Sequence, residues 1–199
     1  MLCLGAFCAG AFPAIGADDA KIAALKERLA KEIDTAPNAT DKVKAFAKEK
    51  LIPLCTNRVF VEEVKRQNDA KTPLAQIQAI DAEWIKAEDE LPIHQQKLNN
   101  ACAKEIKRLA GELRVLTEVF VMDNQGANVG QNELTSDYWQ GDEPKWQKSF
   151  NGGKGGVDIS DRKFDKSANA EDQKISLPII DEQGEVVGAV CFGLKADQL

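Results

Sequence analysis

Ser176-Leu-Pro-Ile-Ile-Asp-Glu-Gln-Gly-Glu-Val-Val-Gly-Ala-Val190 is the stretch whose reading decides the fold. Lys174 to Ile180 reads as a strand, Asp181-Glu-Gln-Gly184 as a hairpin turn, and Glu185 to Leu194 as the strand that follows. Gly188 and Gly193 flank an apolar centre in that last strand. The same rhythm occurs upstream in Val119-Phe-Val-Met-Asp-Asn-Gln-Gly-Ala-Asn-Val129. There Val115 to Met122 reads as a strand, Asp123 to Gly126 as a turn, and Ala127 to Asn132 as a short second strand. Gly156 to Asp161 adds one more, which makes five strands.

Upstream of Val115 the period changes from two to near four. Ile22, Leu25, Leu29 and Ile33 predict an amphipathic helix over 18–34. Thr40 or Asp41 is placed to cap a second helix, and Thr56 or Asn57 a third carrying Phe60 and Val64. Thr72-Pro73 starts a fourth, with Leu74, Ile77, Ile80 and Trp84 on its apolar face. Leu98, Cys102, Ile106, Leu109 and Leu113 predict one long fifth helix over 93–113. Helices first and a mostly antiparallel sheet second make the chain α+β.

Between the two hairpins lies Thr135-Ser-Asp-Tyr-Trp-Gln-Gly-Asp-Glu-Pro-Lys-Trp146, with three aromatics among acids, amides and a lysine. Asp142 is placed to cap a short helix with Pro144 in its first turn, and Trp146 and Phe150 fall one turn apart on it. Tyr and Trp faces with a nearby carboxylate suit a cationic or amino-bearing ligand. Asp137, Asp142 and Asp165 are the acid candidates, and Asn128 offers a donor and an acceptor. An anionic ligand would use Lys145 or Arg162 instead, so the charge of the ligand stays open. The competing reading makes Trp139 and Trp146 core residues and Asp142 only a cap.

The chain has 199 residues, 43% hydrophobic and 29% charged, with a formal net charge of −6. An acidic chain with no basic stripe argues against nucleic acid as a partner. His94 is the single histidine and stands in a polar stretch, which predicts a surface position and leaves no ordinary Ser-His or Cys-His pair. Asp158, Asp161 and Asp165 do not have the spacing of an EF-hand loop, and no metal or cofactor is implied. Residues 1–17 are uncharged and end in small residues, as in a secretory leader, although no basic residue precedes the apolar run. Export would leave Cys55, Cys102 and Cys191. Cys55 and Cys102 lie in helical segments with polar surroundings and are expected to form a disulfide, with Cys191 a free core thiol.

The two Asp-x-x-Gly hairpins, the helical insert between them and the Gly-Ala-Val of the last strand resemble a single Cache domain, the PAS-like extracytoplasmic sensor of bacteria. The resemblance covers roughly residues 95 to 195 and points to a proteobacterial group of small exported Cache proteins. It implies N-terminal helices packed on a five-stranded antiparallel PAS-like sheet. A small-ligand pocket would lie on one face, roofed by the segment between the second and third strands. The expected organisation is a leader over 1–17, a helical region over 18–92 and a Cache sensor domain over 93–199. The resemblance implies a soluble, non-catalytic, periplasmic or secreted sensor module that binds an amine, amino acid or organic acid. Its signal would pass to a membrane sensor kinase or cyclase, and its N-terminal helices would serve a homodimer. The expected ligand-binding residues are Asn128, Asp137, Tyr138, Trp139, Asp142, Trp146 and Asp165.

Overall fold

Both Asp-x-x-Gly segments close as the sequence predicts, in a computed structural model that describes residues 16–165 and 170–199. Asp123 Oδ1 accepts from the backbone N–H groups of Gln125 (2.8 Å) and Ala127 (2.9 Å). Asp181 Oδ1 accepts likewise from Gln183 (3.0 Å) and Glu185 (2.8 Å). Gly126 and Gly184 take φ of +87° and +74°, where a side chain would be strained.

These turns join β1 (Leu116–Met122) to β2 (Asn128–Gln131), and β5 (Ala170–Ile180) to β6 (Val186–Lys195). With β3 (Asp158–Ile159) the path is β2-β1-β6-β5-β3, antiparallel at every step. The α+β class and the five-strand path agree with expectation. A sixth strand, β4 (Lys163–Asp165), also pairs with β5. Three residues are too few to display an alternation, so the sequence does not announce it.

The helices begin where the caps predict. α1 spans Ala17–Thr35. Thr40 Oγ1 accepts from Val43 N–H at the start of α2 (Asp41–Phe46). Wide and tight helical turns carry the chain past Pro53. Asn57 Oδ1 then accepts from Val59 and Phe60 N–H at the start of α3 (Arg58–Asp69). α4 runs Leu74–Lys86, with Pro73 itself in the cap position. The single helix expected over 93–113 is instead two, α5 (Pro92–Asn99) and α6 (Ala101–Glu112). Asn100 makes the break. Its Oδ1 accepts from Ala103 N–H (2.8 Å) and its Nδ2 donates to the Val129 carbonyl (2.7 Å). A short amide side chain competes with the helix backbone, and here it also ties the joint to the sheet.

One apolar core lies between α1, α2, α3 and α6 and one face of the sheet. Leu29, Ile33, Leu51, Phe60, Val64 and Ile106 meet Val119, Val121, Ile175, Leu177, Val190 and Phe192 there. Side chains of that size, fully buried, contribute roughly 1.5–3 kcal/mol each. α4 instead makes a satellite core, in which Ile77 and Trp84 pack with Ala127 and Tyr138. The opposite face of the sheet carries Phe120, Met122, Ala189 and Cys191, covered by Trp146 and Phe150 of α7 (Pro144–Phe150).

Two expectations change. Cys55 and Cys102 are free thiols, not a disulfide, and their surroundings are apolar: both are fully buried in the main core. Cys102 Cβ lies beneath Gly130 of β2, where a glycine leaves room for it. Cys191 is the free core thiol expected. His94 is buried, not on the surface. Its Nδ1 accepts from Leu91 N–H (3.1 Å) at the start of α5, and its ring meets Trp84 edge-on at 4.2 Å. No helix among the described residues is long and apolar enough to cross a membrane. The expected leader falls outside the described residues except for its last two positions.

Candidate functional site

Side chains alternate along a strand, so the face turned away from the main core displays every second residue. Strand register sets these residues in rows. Gln131, Phe120, Cys191 and Ser176 form one row; Met122, Ala189 and Pro178 form the next. In a third row Lys174 stands opposite Gly193. The missing side chain there lets Glu118 of β1 reach over β6 to Lys174 of β5, Oε2 to Nζ at 2.5 Å. A β-carbon at Gly193 would collide with Thr117 Oγ1 and stand 3.0 Å from the Glu118 carbonyl.

α7 lies over this floor. Trp146 and Phe150 stack with centroids 5.1 Å apart, and Trp146 Nε1 donates to the Asp123 carbonyl (2.9 Å). They cover the floor of Phe120, Met122, Ala189 and Cys191. Beside it, around Lys174, opens a cleft of about 560 Å3, whose lining mixes Lys145, Lys148, Lys163 and Lys174 with Glu143, Asp158, Asp161 and Asp172.

Two ammonium groups flank Phe120: Lys145 Nζ is 5.4 Å from its ring centroid and Lys174 Nζ is 6.0 Å. Lys145 donates to Gln140 Oε1 (2.9 Å) and pairs with Glu143 Oε2 (2.7 Å). Burial works against the charge on Lys174, but the Glu118 carboxylate outweighs it and holds its pKa above the ordinary lysine value. In the row beneath, Gln131 Nε2 is buried without a hydrogen-bond partner, while Ser176, at the far end of the row, bonds the Cys191 thiol beside it. Two ammonium groups over one ring suit an oxyanion, and the Phe120 ring suits the carbon attached to it.

The roof is the insert between β2 and β3. Gln140, fully buried, donates through Nε2 to the Asp137 carbonyl (3.0 Å) and to Asp137 Oδ1 (2.5 Å). α4 grips the insert from the other side. Asp81 Oδ1 accepts from the N–H groups of Tyr138 (2.8 Å) and Trp139 (2.9 Å), and Trp84 Nε1 donates to the Thr135 carbonyl (2.9 Å).

The expected residues therefore separate. Trp146 covers the floor. Asn128 is buried at the end of β2, donating to Gln131 Oε1 (3.0 Å) and Thr135 Oγ1 (2.8 Å), with its own Oδ1 unpartnered. Asp137 braces Gln140. Tyr138 packs in the satellite core against Trp84 (5.7 Å), and burial pushes its phenol pKa up. Trp139 packs there too, its Nε1 donating to the Gln125 carbonyl (2.7 Å). Asp142 is exposed, and the cap position of α7 belongs to Glu143. The side chain of Asp165 lies outside the described residues. Arg162 pairs with Glu171 (2.9 Å), while Lys145, the other anion candidate, stands over the floor. Phe120, Gln131, Gln140, Lys174 and Ser176 were not singled out by the sequence. One signal was present: Lys174 and Ser176 are polar at a spacing of two inside an apolar strand.

No family model matches the chain, and no curated protein does. Among solved structures, the sensor domain of the V. cholerae histidine kinase DctB is similar at 10% identity and a TM-score of 0.44, covering 88% of this chain and 56% of that one. The sensory domain of the Campylobacter jejuni chemoreceptor Tlp3 with isoleucine bound is similar at 13% and 0.36, covering 92% and 66%. The ligand-binding domain of the Pseudomonas aeruginosa PAO1 amino acid chemoreceptor PctC in complex with GABA is similar at 8% and 0.40, covering 75% and 62%. The chain thus spans under two thirds of the length of each, and likenesses at these TM-scores assign it no function.

Proposed function

We propose that the chain is a Cache-type sensor module that binds a small carboxylate-bearing metabolite on the floor around Phe120 and does no chemistry of its own. The observation that carries this reading is the pair of ammonium groups, Lys145 and Lys174, that flank the Phe120 ring and line one cleft. Of the acids expected to hold an amine, Asp137 is engaged by Gln140 and Asp142 is exposed. Catalysis is disfavoured by the one histidine, whose Nδ1 is engaged by Leu91 and whose ring is packed on Trp84. Export to the periplasm, and transmission to a membrane kinase or cyclase, complete the proposal. They rest on the uncharged segment at 1–17 and on the resemblance carried by the hairpins.

The test is calorimetric titration with acetate, succinate, a neutral amino acid and putrescine. A carboxylate is expected to bind and putrescine is not. Lys174→Met is expected to weaken binding about ten- to a hundredfold, the size of a charge-assisted hydrogen bond. Binding of putrescine alone would reverse the assignment. A second reading is favoured by the Trp146–Phe150 stack: an interaction module whose floor is filled by its own rings. In that case none of the four compounds binds.

A further inference from the structure

Both Asp-x-x-Gly turns are held from the same helix. In each, one carboxylate oxygen serves the turn itself and the other faces α3. Asp123 Oδ2 accepts from Gln67 Nε2 (2.8 Å), and Asp181 Oδ2 lies 3.6 Å from Lys65 Nζ. The first turn differs in what it carries. The Asp123 carbonyl accepts from Trp146 Nε1 (2.9 Å), so α7 hangs from that residue. Lys145, next to Trp146 on the same helix, stands 5.4 Å from the Phe120 ring centroid and lines the cleft. The place of one ammonium group in the cleft is thus set through Asp123. Gln67 is itself held in one sense. Behind it the buried Lys97 donates to Gln67 Oε1 (2.7 Å). An ammonium offers donors only and a carboxylate acceptors only. One orientation of the amide satisfies both, oxygen to Lys97 and nitrogen to Asp123.

We propose that Gln67 is a positioning residue for the cleft: it fixes the Asp123 from which Trp146 hangs, and so sets where Lys145 meets a ligand. This rests on the carboxylate reading above. α3 and α7 cover opposite faces of the sheet, so the influence passes around the end of β1 and not through a shared surface. Gln67 acts only through Asp123 and makes no contact with the ligand.

The experiment titrates acetate and succinate into the full chain and into its Gln67→Met and Lys65→Met variants. Heteronuclear NMR follows the indole N–H signals of the three tryptophans, with Trp146→Phe to assign one of them. Lys65→Met removes the matching hold on the second turn and controls for a merely loosened α3. Gln67→Met is expected to weaken binding about three- to tenfold, the size of one hydrogen bond, and to move the Trp146 signal. Lys65→Met is expected to do neither. Should Gln67→Met fail to fold, Gln67→Glu takes its place, since it keeps the acceptor for Lys97 and loses the donor to Asp123. Equal affinities of the Gln67 variant and the unaltered chain, or equal losses in the Gln67 and Lys65 variants, would overturn the positioning role and leave the carboxylate site. Absence of binding by the unaltered chain would overturn both.

Discussion

Lys97 carries the clearest residue-scale consequence. Its ammonium is buried, donates to Gln67 Oε1 (2.7 Å) and lies 5.4 Å from the Tyr138 ring centroid. Burial lowers its pKa from 10.5 to about 8, although the charge of Asp123 works the other way. The depressed value means that, between about pH 8 and 10.5, the unfolded chain holds a proton that the folded chain has released. The contribution of Lys97 to stability should therefore rise across that window, by an amount of order 3 kcal/mol at about 1.4 kcal/mol per pKa step. The three buried thiols, raised above their ordinary value, work the other way above about pH 9 in any variant, so the measurement is the difference between the wild type and Lys97→Met. Urea unfolding at pH 7.5 and pH 10 should show the wild type gaining on Lys97→Met as the pH rises; an unchanged difference would contradict the burial. Neither Lys97 nor His94 was legible as buried, because the apolar stripe ran through Leu98 as part of one long helix. The break at Asn100 rephases α5, and its inner face becomes His94 and Lys97.

Among the elements, the turns and caps were the most legible and the joint between α5 and α6 the least. Asp123, Asp181, Thr40 and Asn57 each act through a side chain bonded to its own neighbouring backbone, which is local chemistry that a sequence displays. Asn100 does the same for α6, but its second bond is to β2, 29 residues away, which no local pattern contains. Asn100→Ala removes both and should destabilise the protein by about 1–2 kcal/mol, the size of a lost cap. Thermal unfolding checks this. Asn100→Asp, which keeps the acceptor for Ala103 but not the donor to Val129, should recover part of the loss. The insert was legible as a unit and not in its partition. Tyr138 and Trp139 turn to α4, Trp146 turns to the floor, and that split depends on a helix some 60 residues upstream.

For the molecule as a whole, the α+β order and the sheet could be read from periodicity. The candidate floor could not, since its rows exist only once register is known. Lys174, Ser176, Phe120 and Gln131 come from three strands and meet only through pairing with each other or with β6. The buried thiols also report on the whole fold. Burial pushes Cys55 up to about 12 and Cys191 to about 11, and raises Cys102 as well. Thiolate is the reactive form, so iodoacetamide should leave all three unmodified in the folded protein and label all three after unfolding without reductant. Mass spectrometry of the peptides reads the outcome. Labelling of Cys55 and Cys102 that waits for a reductant would instead reveal a bond between them.

The place of β6 has a temporal meaning. It is the last of the six strands to be synthesised, yet it lies between β1 and β5 at the centre of the sheet. β1 and β2 can pair as they emerge, but a lone hairpin is marginal in water. The other pairings that close the sheet wait until Val186–Lys195 has been made. Until then the helices have only half a surface to settle on, and the floor, built on both sides of β6, does not exist. Folding of the sheet is thereby postponed until β6 has been made, a delay that leaves the helices and the earlier strands pliable in the meantime.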